Sequence, residues 1–205
     1  MEMFGRPIDR RVLMKGAASL AVMVANLGPA FAAPSIKEVT FDPAIPALGN
    51  PNGDVTIAEF VDYQCPVCKL VFIELRKLMA EDRGIRLVMK DWPIFGDASR
   101  DAALMALSSG SRYAAAVDAL MANRRALSPH RTDAILDAAG ANSAGLRAEL
   151  AGREPKLGAL LARTQAQASA FELRGTPALV IGGKLYRRGM PVAELRQAVA
   201  TARAG

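Results

Sequence analysis

From Ser99 to Phe171 the sequence carries helical signals only, and on either side of that run it carries strands. Breaks at Gly110, Ser128-Pro129, Gly140 and Gly152 to Pro155 divide the run into expected helices at 99–109, 112–123, 132–139, 143–150 and 156–171. Before it, Val55 to Tyr63 is β-branched and aromatic and reads as a strand. Val67, Leu70, Val71, Leu75, Leu78 and Met79 then follow helical spacing up to Gly84, and Ile85 to Lys90 reads as a second strand. After it come a short apolar strand at Ala178–Ile181, a Gly182-Gly183 turn, a return strand from Lys184 to Arg187 and an amphipathic helix from Pro191 to Ala202. A run of this length is far longer than an ordinary crossover. The order therefore predicts an α/β fold with an all-helical insertion. Residues 33–53, with four prolines, read as an irregular lead-in.

The rest of the composition narrows the function classes. The 205 residues are 51% hydrophobic and 22% charged, enough for a buried core. Aromatics at 5% with abundant alanine favour helix over an all-β sandwich. The only histidine is His130, which excludes a His-rich metal centre. The formal charge is +6, and the four basic and two acidic residues of positions 1–32 account for two of those charges. No dense basic run with interleaved aromatics remains, so nucleic acid is not an expected partner.

Residues 1–15 are polar and basic, 16–27 are small and apolar, and Ala30-Phe31-Ala32 ends the segment. This is the layout of a secretory signal cleaved after Ala32. Arg10-Arg11 leaves the general and twin-arginine routes both open. Either leads to a compartment where disulfides persist, such as a bacterial periplasm. About twenty residues separate the cleavage site from the first expected strand, too few for an oligomerising stalk, so a monomer is expected.

The only two cysteines, Cys65 and Cys68, flank Pro66-Val67 where the first strand turns into its helix. A helix N-terminus offers unpaired N–H groups and a positive dipole end, so Cys65 should be an exposed, acidic thiol. Cys68, one turn further in, is placed to resolve a mixed disulfide. A structural disulfide closing so short a loop removes little chain entropy. A zinc site lacks its other ligands. Gly175-Thr176-Pro177-Ala178 at a strand start suggests a cis proline, which would leave the backbone before it free to pair with an extended peptide.

Glu59-Phe60-Val61-Asp62-Tyr63-Gln64-Cys65-Pro66-Val67-Cys68-Lys69, Lys90-Asp91-Trp92-Pro93-Ile94-Phe95-Gly96 and Gly175 to Gly183 together resemble the DsbA-like thiol:disulfide oxidoreductases. The resemblance covers about residues 40–203. It implies a thioredoxin-like fold over 33–98 and 172–205 with the helical insertion at 99–171. By the same resemblance Cys65 is the nucleophile, Cys68 the resolving thiol and Pro177 the cis proline. Thr176, Pro66 and Val67 contact substrate, and Glu59 and Lys90 form an acidic–basic pair that relays a proton beneath the site. No metal or cofactor is implied. The implied activity is oxidation of cysteines in exported, incompletely folded proteins, with a separate redox partner recycling the pair. A disulfide isomerase or reductase, and a peptide-binding chaperone, stand as alternatives. Val67 departs from the Pro-His dipeptide of the best-known oxidases, which predicts a weaker oxidant.

Overall fold

The computed structural model describes residues 34–205. The leader expected over 1–32 lies outside the described residues. Strands β1 (Ala47–Gly49), β2 (Val55–Val61), β3 (Ile85–Asp91), β4 (Ala178–Ile181) and β5 (Lys184–Tyr186) form one sheet in the order β1-β3-β2-β4-β5. β2 and β3 are parallel, and every other pair is antiparallel. All seven residues of β2 are buried, as expected of a central strand covered on both faces.

Helix α1 (Ile36–Thr40) precedes the sheet, α2 (Pro66–Glu81) joins β2 to β3, and α7 (Val192–Ala204) closes the chain against α2. Between β3 and β4 lie α3 (Asp97–Ser108), α4 (Tyr113–Ala122), α5 (Pro129–Ala138) and α6 (Ser143–Ala170), which pack on one another. Among the described residues no helix is long and apolar enough to cross a membrane.

Two expectations are corrected. The lead-in is not wholly irregular. Ser35 and Glu38 form a capping box that starts α1, and β1 adds an antiparallel edge to β3. The expected break at Gly152 to Pro155 is absent, because α6 runs through Pro155 as one 28-residue helix. An interior proline costs about 3 kcal/mol. Packing on both sides of it keeps the helix continuous. Upstream, Arg147 bonds Asp101 of α3 at 2.6 and 2.9 Å and Asp133 of α5 at 2.8 Å. Downstream, Leu157, Leu160, Leu161, Thr164 and Ala168 are buried.

Candidate active site

β2 ends at Val61, and the next three residues build the turn that presents the cysteines. The Asp62 carboxylate is buried and accepts from the Gln64 N–H at 2.7 Å and the Ser99 hydroxyl at 2.7 Å. It also accepts from the backbone N–H groups of Ile94 and Phe95, at 2.8 and 3.0 Å. Gln64 donates to the Phe95 carbonyl and the Ser99 hydroxyl, and its own carbonyl accepts from the Leu127 N–H at 3.0 Å. Asp62 and Gln64 thus tie the cysteine turn to the loop after β3, to α3 and to the loop after α4. Sequence reasoning assigned neither residue a role. A carboxylate directly after a strand and two residues before an N–H it can bond was the available signal.

Cys65 is the N-cap of α2. Its sulfur accepts the Cys68 N–H at 3.3 Å, and its thiol donates to the Thr176 carbonyl at 3.4 Å. Both cysteines are free thiols. Cys65 was expected to be exposed, but only 3% of it is accessible, because the Thr176–Pro177 segment lies over it. Pro66 and Val67 are the exposed residues of the turn. The Thr176–Pro177 bond is cis. Gly189 makes a close approach here. A Cβ on it would lie 2.7 Å from Val71 Cγ2 and 3.4 Å from Val67 Cγ1.

The two thiols are driven apart in acidity. Hydrogen bonds from the Cys68 thiol, from Thr176 and from the Cys68 and Val67 backbone outweigh burial and bring the Cys65 thiol down to about 5. Burial raises Cys68, and the Cys65 hydrogen bond and the Glu59 charge raise it further. Two cysteines three residues apart therefore differ in acidity by environment, not by residue type.

Glu59 and Lys90 do not form the expected pair. Glu59 stands opposite Met89 and Leu179, whereas Lys90 stands opposite Phe60, so the two side chains leave opposite faces of the sheet. Glu59 lies on the cysteine face. Burial pushes its carboxyl well above the ordinary range, and the Cys65 charge adds to this. Lys90 lies on the far face, 3.6 Å from Asp42, which Arg163 also bonds at 2.7 Å. On the cysteine face Asp91, Tyr63 and Tyr113 are buried too, and Asp91 is raised to about 7, chiefly by burial. Tyr63 feels the charges of Asp91, Tyr113 and Glu59, which places the four groups together. Among the described residues no group of three or more His, Cys, Asp or Glu is placed to hold a metal ion.

The family model described as thioredoxin matches residues 42–201. Among solved structures, a thioredoxin-like oxidoreductase from Silicibacter pomeroyi DSS-3 is 32% identical, with a TM-score of 0.79 over 84% of this chain and 99% of that one. The thiol-disulfide exchange protein alpha-DsbA2 from Wolbachia pipientis is 25% identical, with a TM-score of 0.75 over 80% of this chain and 90% of that one. A periplasmic thioredoxin-like protein from Salmonella enterica serovar Typhimurium is also 25% identical, with a TM-score of 0.72 over 82% of this chain and 95% of that one. No curated protein matches the sequence.

Proposed function

Since the chain belongs to the thioredoxin family as a DsbA-like thiol:disulfide oxidoreductase, we propose that it oxidises cysteines of exported proteins through its Cys65–Cys68 pair. The observation that carries this reading is Cys65 at the N-cap of α2, where its sulfur accepts the Cys68 N–H at 3.3 Å and its pKa is lowered, beside a fully buried Cys68 whose pKa is raised. A stabilised Cys65 thiolate favours the reduced form, and whatever favours the reduced form makes the disulfide a better oxidant.

In the proposed cycle a substrate thiolate attacks Cys65 Sγ of the Cys65–Cys68 disulfide. The S–S bond breaks, its electron pair goes to Cys68 Sγ, and a mixed disulfide forms at Cys65. A Cys68 thiolate is costly in its buried site and needs a proton. Glu59, whose carboxyl is raised by burial and which is unpaired with Lys90, lies close enough to Cys68 to act on it and is suited to supply that proton. A second substrate thiolate attacks the substrate sulfur of the mixed disulfide and displaces Cys65 as the acidic thiolate. The substrate leaves as a disulfide, having given up two electrons, and the enzyme is left as a dithiol for a thiol–disulfide partner to re-oxidise. Pro66, Val67 and the Thr176 backbone receive the substrate, with Pro177 setting the turn. The basic and apolar residues 1–27 and the Ala30-Phe31-Ala32 end support export to a periplasm, and the short lead-in supports a monomer.

The Cys65 acidity supports a numerical expectation. One pKa unit on the attacking thiol corresponds to about 30 mV in a two-electron couple. A Cys65 thiol more acidic than thioredoxin's (about 7, −270 mV) and less acidic than DsbA's (about 3.5, −120 mV) places the potential of this pair between theirs. Glutathione equilibration checks it, and a potential as low as thioredoxin's would overturn the oxidase reading. That range also spans the poise of disulfide isomerases, which favours isomerisation as the second reading. Oxidation of a reduced test protein against repair of a scrambled one separates the two.

A further inference from the structure

The cavity beside the cysteines, about 1090 Å³, runs from Val67 along the 172–177 segment to Arg187–Gly189. Its floor is backbone. Gly175 has open space where a Cβ would stand. Its walls carry three guanidiniums, Arg174, Arg187 and Arg188, against the single carboxylate of Glu172. Arg188 is neutralised by Glu194. Arg187 donates only to the neutral Phe171 carbonyl, at 3.0 Å, and among the described residues no carboxylate pairs with Arg174 or Arg187. The loop held by Gln64 carries a further exposed cation, Arg124, whose charge reaches Lys69 beside Cys68. The groove beside the cysteines is therefore bordered by positive charge that no carboxylate of the described residues offsets at Arg174 and Arg187.

We propose that the protein prefers substrate segments whose reactive cysteine is flanked by Asp or Glu, within about three residues in an extended chain. Such a segment lies along the Gly175–Thr176 backbone with its carboxylates against Arg174 and Arg187. The proposal rests on the reading that this backbone receives the substrate, and it adds the chemical class of substrate that the site takes. A guanidinium fork suits a carboxylate in geometry as well as charge. Charge at the rim of a site acts mainly on the rate of encounter, which is the step that selects among unfolded chains.

The test uses the oxidised full chain and three dithiol peptides identical except for Glu, Gln or Lys beside the cysteines. Loss of the protein disulfide is followed by acid quench and alkylation. A neighbouring carboxylate changes the peptide thiol's own reactivity. Each rate is therefore divided by that of the same peptide with the neutral hydroxyethyl disulfide. At low ionic strength the Glu peptide is expected to react roughly five- to tenfold faster than the Gln peptide, and the Lys peptide slowest, with the spread collapsing at high salt. Arg174→Glu with Arg187→Glu should reverse the order. Arg83→Glu with Arg112→Glu makes the same change in net charge far from the cysteines and should preserve it. Equal normalised rates overturn the proposal. So does an order that survives the groove variant, or one that the remote variant abolishes equally. Dithiothreitol keeps this failure distinct from the larger one. If it reduces the Cys65–Cys68 disulfide while the peptides show no preference, only the substrate class is wrong. If it does not, the redox reading itself falls.

Discussion

The two faces of the central sheet bury carboxyl groups of the same kind and treat them in opposite ways. On the far face, burial alone would raise Asp42, but it accepts from Arg163 at 2.7 and 3.0 Å and from the Ala44 N–H at 3.0 Å, and it faces Lys90 at 3.6 Å. Its acidity is lowered, and the group stays ionised. On the cysteine face no cation or hydrogen bond lowers Glu59, and at Asp91 burial outweighs the Tyr63 hydrogen bond and the charge of Lys90, so both are raised. The far face is a closed ionic cluster that holds the lead-in to β3 and α6. On the cysteine face burial shifts the carboxyls toward their protonated forms, which suits the proposed transfer of a proton to a buried thiolate. Burial is common to both faces, so the partner decides the protonation state.

The largest expected effect breaks the far face. Asp42→Asn leaves the Lys90 ammonium buried without its counter-ion. Removing one partner of a buried pair costs about 3–5 kcal/mol. Urea unfolding of the oxidised protein at pH 7 should lose that much, while the Cys65–Cys68 potential moves by under about 10 mV, since Lys90 points away from the cysteines. A large shift in potential with little change in stability would show that the faces are not separate.

On the cysteine face the sign reverses. Asp91 has a folded-state pKa near 7 against an ordinary value of 3.8. A raised carboxyl favours the folded state only while it keeps its proton. That contribution is fully present below about 3.8 and is lost as pH rises to about 7. Asp91→Asn, which cannot ionise, should therefore be more stable than the parent at pH 8, by on the order of 2–4 kcal/mol, and equal to it near pH 4. Denaturant titrations at the two pH values check this. A variant that is less stable at pH 8 would mean that the ionised carboxylate is well partnered.

How far the sequence led is decided by the same geometry. The strand-to-helix junction, the cysteine pair and the proline after Thr176 lie in local patterns, and local patterns carry over to structure. The Glu59–Lys90 pair does not, because a pairing across strands depends on register, and a shift of one residue moves a side chain to the opposite face. Neither strand states its register in its own residues. Local chemistry makes Pro155 a helix breaker, and the structure overrides it because Arg147, Arg153 and the buried leucines of α6 bind that helix to other elements. The Ser35–Glu38 capping box starts a helix inside a stretch whose prolines predict an irregular chain.

The smallest expected effect sharpens the comparison at the cysteines themselves. Val67 stands where a histidine donor would add to the hydrogen bonds that already make Cys65 acidic. A donor to a charged acceptor is worth about 1.5–3 kcal/mol when the pair is shielded. Val67 is 48% exposed, so solvent screens a group placed there and the gain should fall to roughly 0.5–1 kcal/mol. Val67→His should then lower the Cys65 pKa by less than about one unit and raise the potential by roughly 10–20 mV. Thiolate absorbance titration and glutathione equilibration read the two shifts separately, and they must agree in direction, because the same stabilised thiolate causes both. No shift in either would place the control of Cys65 wholly with Cys68, Thr176 and the helix N-terminus, which already hold it near 5. A shift of 50 mV or more would show that position 67 is shielded by the substrate-free surface around Gly189, and that the helix turn is a stronger lever on redox poise than its exposure implies.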